Sequence, residues 1–296
     1  MPGTASRTAT TTSNSTATST STSELGEYLR SRRDALTPEQ AGVNSYGMRR
    51  VPGLRREELA LLAGVSVAYY TRLEQGQSTG ASDSIIDALA RALRLRDDER
   101  AHLFELARPR PARKRRPSRP ERATPGGRQL LDAMTEVPAV LLGRRYDVLA
   151  WNRLGHALFA GHLAFDAPQD PAERPNLARL LFLDPHTREL YRDWNDEAAL
   201  LVASLRFIAA RYPDDRALAE LVGELSVKNP EFAALWAKHT VRLCSSGTKH
   251  FHHPEVGDLD TDYQALHLPD AEGQRLVTHT APRGSSSANA LRLLAC

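Results

Sequence analysis

Three histidines, a cysteine and a lysine are the residues whose spacing could do bond-making or metal chemistry. In "KHFHHPEV", His250, His252 and His253 fall close together. On a strand, His250 and His252 would share one face, the placement of a metal-binding pair. A site needs a third ligand, and none lies at recognisable spacing, so no metal is assigned. Cys244 precedes "SSG", which is not a nucleophile elbow, and no His/Asp partner has the spacing of a triad. Lys249 lies near Ser245, as a self-cleaving Ser/Lys protease would require, but nearness in sequence alone does not make a dyad. No catalytic residue and no cofactor is assigned, and the reading is of a protein that is not an enzyme.

A different chemistry, recognition, is written in "LLAGVSVAYYTRLEQG", Leu61 to Gly76. It parses as two short helices around a tight turn. Leu59, Ala60, Leu62 and Ala63 form the apolar face of the first. Gly64 stops that helix, because a left-handed stop excludes a Cβ. Val65 fills the corner, and Ser66 caps the second helix. Tyr70 and Leu73 turn back to the core. This is helix-turn-helix logic, although an αα-hairpin in any bundle would show the same turn. The outward face of the second helix carries Val67, Ala68, Tyr69, Thr71 and Arg72, with no carboxylate before Glu74. A face that approaches phosphates cannot carry many acids.

Charge supports that direction. Residues 1–128 hold 22 Lys and Arg against 14 Asp and Glu, a surplus of eight. The rest hold 17 against 22, so a formal net charge of +3 conceals a basic front and a mildly acidic back. The helix-turn-helix favours duplex DNA as the polyanion.

The elements that must position these residues follow from composition. Residues 1–23, rich in Ser and Thr, lack the apolar core of a signal peptide and read as a disordered tail. Residues 24–107 read as a five-helix, all-α DNA-binding domain. "ELGEYLRSRRDAL" is its first helix, with Leu25, Tyr28, Leu29 and Leu36 apolar, and a long connection then leads to the motif. "SDSIIDALARALRL" and "DDERAHLFELA" are its last two helices, the first capped by Ser82 and the second acidic at its positive end. Residues 108–127 alternate Pro and Arg and read as an extended basic linker, whose Arg113–Arg116 cluster either tracks phosphates or is merely solvated.

Residues 128–296 read as an α+β domain. Val140–Leu142 and Tyr146–Trp151 are β-prone runs around Gly143, and "RLGHALF" starts a helix. Helical patterns run from Thr187 to Tyr212, from Arg216 to Val227 and onward from Pro230. Strands return in "VRLCSSGTKHFHHP", "VGDLDTDYQALHL" and "QRLVTHTA", and "SSSANALRLLA" closes as a helix. Two cysteines, Cys244 and Cys296, make no disulfide framework and fit a reducing cytoplasm. No apolar run reaches the length of a membrane span.

These segments carry a resemblance. "VPGLRREELALLAGVSVAYYTRLEQG" is similar to the XRE (Cro/repressor-like) helix-turn-helix family. "GRRYDVLAWNRLGHALF", "LARLLFLDPHTRELYRDW", "LVGELSVKNPEFAALWAKH", "GTKHFHHPEVGDL" and "TDYQALHLP" resemble the MmyB-like ligand-binding domain. The resemblance implies base contacts from Val67, Ala68, Tyr69 and Arg72. Arg72 is the candidate for a bidentate guanine contact worth about 1–3 kcal/mol of discrimination. It implies phosphate contact at Arg56, with Arg49, Arg50 and Arg55 assisting and Ser66 and Thr71 bordering the site. It also implies a PAS-like fold for the second domain, with a small apolar or amphipathic ligand, such as a fatty-acyl chain, between sheet and helices. Candidate lining residues are Trp151, Phe159, Leu180, Phe182, Trp194 and Phe207; no arginine stands out as a nucleotide clamp. The whole reads as a one-component transcription regulator, a homodimer on duplex DNA. Its rivals are a DNA-binding scaffold that recruits a protein and an enzyme fused to its own repressor domain.

Overall fold

Hydrophobic periodicity in the first hundred residues resolves into six helices in the computed structural model, which describes residues 16–43, 51–77, 80–108, 121–269, 271 and 273–295. The chain divides into two units, residues 1–110 and 111–296. In the first unit, α1 spans Thr16–Ala35, α2 Pro38–Ala41, α3 Arg56–Ala63, α4 Val67–Glu74, α5 Asp83–Ala92 and α6 Asp97–Ala107. Tyr28, Leu29, Leu54, Leu59, Tyr70, Ile86, Leu89 and Leu103 are fully buried among them. Each such side chain contributes about 1.5–3 kcal/mol on leaving water.

Several expectations change here. Helix α1 begins at Thr16, inside the stretch read as tail, because extending a nucleated helix gains one backbone bond per residue fixed. Residues 1–15 lie outside the described residues, as do Arg49, Arg50 and the Arg113–Arg116 cluster. The connection before the motif holds an extra turn, α2. Its capping box pairs the Thr37 hydroxyl with the Gln40 N–H and the Gln40 side chain with the Thr37 N–H. Leu62 is 42% exposed and lies outside the apolar face formed by Leu59, Ala60 and Ala63.

The second unit opens earlier than position 128. Helix α7 spans Pro125–Ala133, with Thr124 as its cap and Pro125 in its first turn, so the end of the expected linker is helical. The strands are β1 (Ala139–Leu142), β2 (Val148–Trp151), β3 (Ser246–His253), β4 (Gly257–His267) and β5 (Arg275–Thr280). They form one antiparallel sheet in the order β2-β1-β5-β4-β3. Helices α8 (Arg153–Ala160), α9 (Leu177–Leu183), α10 (Pro185–Leu190), α11 (Trp194–Arg211), α12 (Arg216–Lys228), α13 (Pro230–Ala237) and α14 (Ser286–Leu294) complete it. This is an α+β domain, as expected.

Strand β1 shows why the sheet is covered on both sides. Val140 and Leu142 pack with Leu158, Phe159, Leu190 and Phe251, while Ala139 and Leu141 pack with Leu131 of α7. A third cluster joins α9, α11, α12 and α13 around Phe182, Trp194, Leu205 and Phe232. Two sequence expectations fail locally. Helix α9 was not anticipated, its seven residues being too short to show a clear period. The helical pattern from Thr187 to Tyr212 is broken between α10 and α11, where Tyr191 bridges to Phe251 of β3. No helix among the described residues is long and apolar enough to cross a membrane.

Candidate functional site

The reading element is built by a three-residue turn. Gly64 closes α3 at φ +66°, and the Ser66 hydroxyl accepts the Tyr69 N–H at 3.1 Å to open α4. Tyr70 and Leu73 anchor α4 in the core, which leaves Val67, Ala68 and Arg72 exposed and Tyr69 and Thr71 half-buried. The structure therefore brings these five onto one outward surface, with Ser66 at its start. Arg72 makes no ion pair with any described residue.

Glu74, the first acid of α4, is removed from that surface. Arg33 donates to both of its carboxylate oxygens, each at 3.0 Å, and Arg56 donates to Oε1 at 2.9 and 3.1 Å. Arg33 also donates to the Leu54 carbonyl at 2.7 Å. Burial opposes the charge on Glu74, but the hydrogen bonds, Arg33 foremost, outweigh it and hold the carboxyl below its usual range. The network ties α1, α3 and α4 into one body. α1 fits so close that a Cβ on Gly26 would lie 2.1 Å from the Glu74 carbonyl oxygen. Arg56, expected only at phosphates, therefore also belongs to the core; its side chain is half-exposed, and Arg55 is half-exposed beside Glu57.

In the second unit a cavity of about 90 Å³ opens between sheet and helices. Its apolar wall comes from Val140, Leu142, Phe159, Val277 and the α9 and α11 leucines Leu177, Leu180, Leu181, Leu200 and Leu201. Of the six expected lining residues, Phe159 and Leu180 are there. Trp151, Phe182, Trp194 and Phe207 are buried but not at the cavity. The indoles explain two of these. Trp151 Nε1 donates to the Phe165 carbonyl at 2.7 Å and Trp194 Nε1 to that of Leu181 at 2.9 Å, so each ring is held in packed core.

The polar lining was not foreseen. Lys249, on the inward face of β3, pairs with the Glu197 carboxylate of α11 and lies over the Tyr263 ring at 4.7 Å. It is thereby drawn away from any dyad with Ser245. Arg275 stacks its guanidinium over Tyr146 at 4.1 Å, and its Nη1 approaches the Gly143 carbonyl at 3.4 Å. Its Nη2 is buried and has no hydrogen-bond partner among the described residues. His279 accepts from or donates to Thr261 Oγ1 at 2.8 Å; burial, with Lys249 adding, lowers its pKa to about 3 and keeps the ring neutral. Burial likewise raises the Cys244 thiol. Strand alternation was the signal available for Lys249, since period 2 sends it inward with Phe251. The same alternation sends His250 and His252 outward, where each pairs across the sheet, with Asp260 at 2.8 Å and Asp258 at 2.5 Å.

A helix-turn-helix with an acid-free outer face, followed by an α+β domain around a cavity, defines the class: a DNA-binding regulator with its own ligand domain. Comparison with protein families agrees. Residues 24–103 match the model of a helix-turn-helix domain, and residues 123–294 match that of the MmyB-like transcription regulator ligand binding domain. The chain belongs to this MmyB-like regulator family and is a ligand-responsive transcription regulator. No curated protein matches it significantly.

Proposed function

We propose that the second domain binds a small amphipathic molecule of fatty-acyl type and that occupancy shifts the DNA-binding equilibrium of a homodimer. The observation that carries this reading is the unpartnered Nη2 of Arg275 beside an otherwise largely apolar wall. A buried donor without a partner costs about 1–3 kcal/mol, which a ligand acceptor would recover. Lys249 is already neutralised by Glu197, so Arg275 is the group left to hold an acidic head while the chain lies along the leucines. Regulation requires that the ligand favour one of two states of the protein by differential affinity.

On the DNA side, Val67, Ala68, Tyr69 and Arg72 read base edges. Arg49, Arg50, Arg55 and Arg56 hold phosphates, with Ser66 and Thr71 at the margin of the contact. Native mass spectrometry of freshly purified protein, before and after denaturation, tests the sensor reading. A lipid-sized adduct lost on denaturation supports it. A clean apo mass, together with no uptake of added medium-chain or long-chain fatty acid, would move the second domain to the role of a protein-recruiting surface.

A further inference from the structure

We propose that the second domain carries a binding site for a divalent first-row transition metal, built from His162, Asp184 and His186. Two segments supply them: His162 follows α8, while Asp184, which joins α9 to α10, and His186, in the first turn of α10, are two residues apart. The fold brings their ligand atoms within 4.8 Å of one another. His162 Nε2 lies 3.1 Å from Asp184 Oδ2, and His186 Nδ1 lies 3.5 Å from Oδ1. The two imidazoles stack at 4.6 Å between centroids with 13° between their planes.

Three features favour a cation over a plain ion-pair cluster. First, one carboxylate faces both rings, with Oδ2 toward His162 Nε2 and Oδ1 toward His186 Nδ1, so three ligand atoms from two segments converge on one small space. Second, the carboxylate is already oriented from behind. Asp184 Oδ2 accepts the Thr187 N–H at 3.0 Å and the Thr187 hydroxyl at 2.7 Å, the kind of outer support that metal-binding carboxylates receive. Third, the donor set is two imidazole nitrogens and one oxygen. That set suits zinc, cobalt or nickel and not calcium or magnesium, which take all-oxygen cages. Three protein ligands leave a position for water, and the 70% exposure of the His186 side chain makes the site exchangeable.

Its place in the fold gives it consequence. Thr187, which supports Asp184, also lines the cavity, as do Leu180 and Leu181 on the preceding helix. A metal here fastens the α9–α10 corner to the end of α8 and stiffens one wall of the cavity. The inference is independent of the ligand proposed above.

The test uses metal-stripped full-length protein. Calorimetric titration with zinc chloride should show one saturable equivalent per chain, and cobalt chloride should give the visible absorption of a low-coordinate site. His186→Ala and His162→Gln should each weaken uptake at least tenfold. His250→Ala with His252→Ala, on the outer face of β3, should leave it unchanged. His186 is exposed enough that its loss should not unfold the domain, and the tryptophan emission of each variant checks this. Absence of saturable uptake, uptake indifferent to both His162 and His186, or uptake lost with the β3 pair would each overturn the assignment.

Discussion

Both units bury charge, and they complete it differently. In the DNA-binding unit, Arg33, Glu74 and Arg56 form a closed set in which both carboxylate oxygens are occupied and the spare Arg33 nitrogen reaches Leu54. In the ligand-binding unit the Lys249–Glu197 pair is closed, but Arg275, which lines the same cavity, retains a buried nitrogen unpaired among the described residues. A reading head must present α4 in one geometry, and a completed ionic network fixes it. A sensor must change state on binding, and an incomplete polar group is a place where a ligand can contribute differential free energy.

The largest effect should come from opening the closed network. Glu74→Ala strips buried Arg33 of the carboxylate it bonds twice, leaving it Asp34 and the Leu54 carbonyl, and should destabilise the first unit by about 3 kcal/mol. The three tryptophans, Trp151, Trp194 and Trp236, all belong to the second unit, so their emission reports that unit alone. Circular dichroism should then show an early loss of helix while the tryptophan transition stays in place. If both transitions moved together, the network would not be a device of the first unit alone.

The same operation on the open group should have the opposite sign. Arg275→Met removes the orphan donor while keeping an apolar stem over Tyr146. The ligand-free tryptophan transition should hold or rise, because a cost of about 1–3 kcal/mol is relieved. Binding of a fatty acid should fall about 10- to 100-fold, whereas the corresponding fatty alcohol should change little. Equal losses for acid and alcohol would place the head group elsewhere in the cavity.

Over any single pH unit a smaller effect separates the units. His279 titrates near 3 when folded, against a usual value of 6.5. Between those values the unfolded chain binds a proton that the native ring refuses. Stability of the second unit should therefore be full above about 6.5 and decline below it by about 1.4 kcal/mol per pH unit until the folded value is reached. His279→Gln should flatten the decline between pH 6.5 and 5, read from tryptophan-detected urea midpoints. The helix loss of the first unit should keep its own pH profile.

Legibility in the sequence followed how local the determining interactions are. The turn at Gly64, the Ser66 cap and the buried Tyr70 and Leu73 depend on neighbours within a few residues, and the spacing revealed them. The β-prone runs behind β1 and β2 and the alternation in β3 and β4 are local in the same way. The cavity was less legible because its residues meet only in the folded sheet. Trp151 and Trp194 were the conspicuous large residues, yet their N–H groups need carbonyl partners and draw them into packed core. Arg275 drew no attention in "QRLVTHTA", since its meaning depends on Tyr146, more than a hundred residues earlier. At the corner of His162, Asp184 and His186 the latter two lie close in sequence, and only the fold adds His162 to them.

Arg56 belongs to both sides of the comparison between core and surface, and it allows the subtlest test. Its Nε and Nη2 are committed to Glu74, yet the side chain is half-exposed at the start of α3. If it also contacts phosphate, Arg56→Ala should lower the slope of log affinity against log salt by about one and weaken all DNA sequences alike. Arg72→Ala, on the unpaired face of α4, should instead weaken the specific site by about 1–3 kcal/mol and leave nonspecific binding nearly intact. A slope unchanged by Arg56→Ala would confine Arg56 to the network, and the phosphate contacts would then fall to Arg55 and its neighbours. Because Arg33 alone still pairs both oxygens of Glu74, α4 should keep its geometry in the variant. The slope therefore reads the DNA contact rather than a loosened helix.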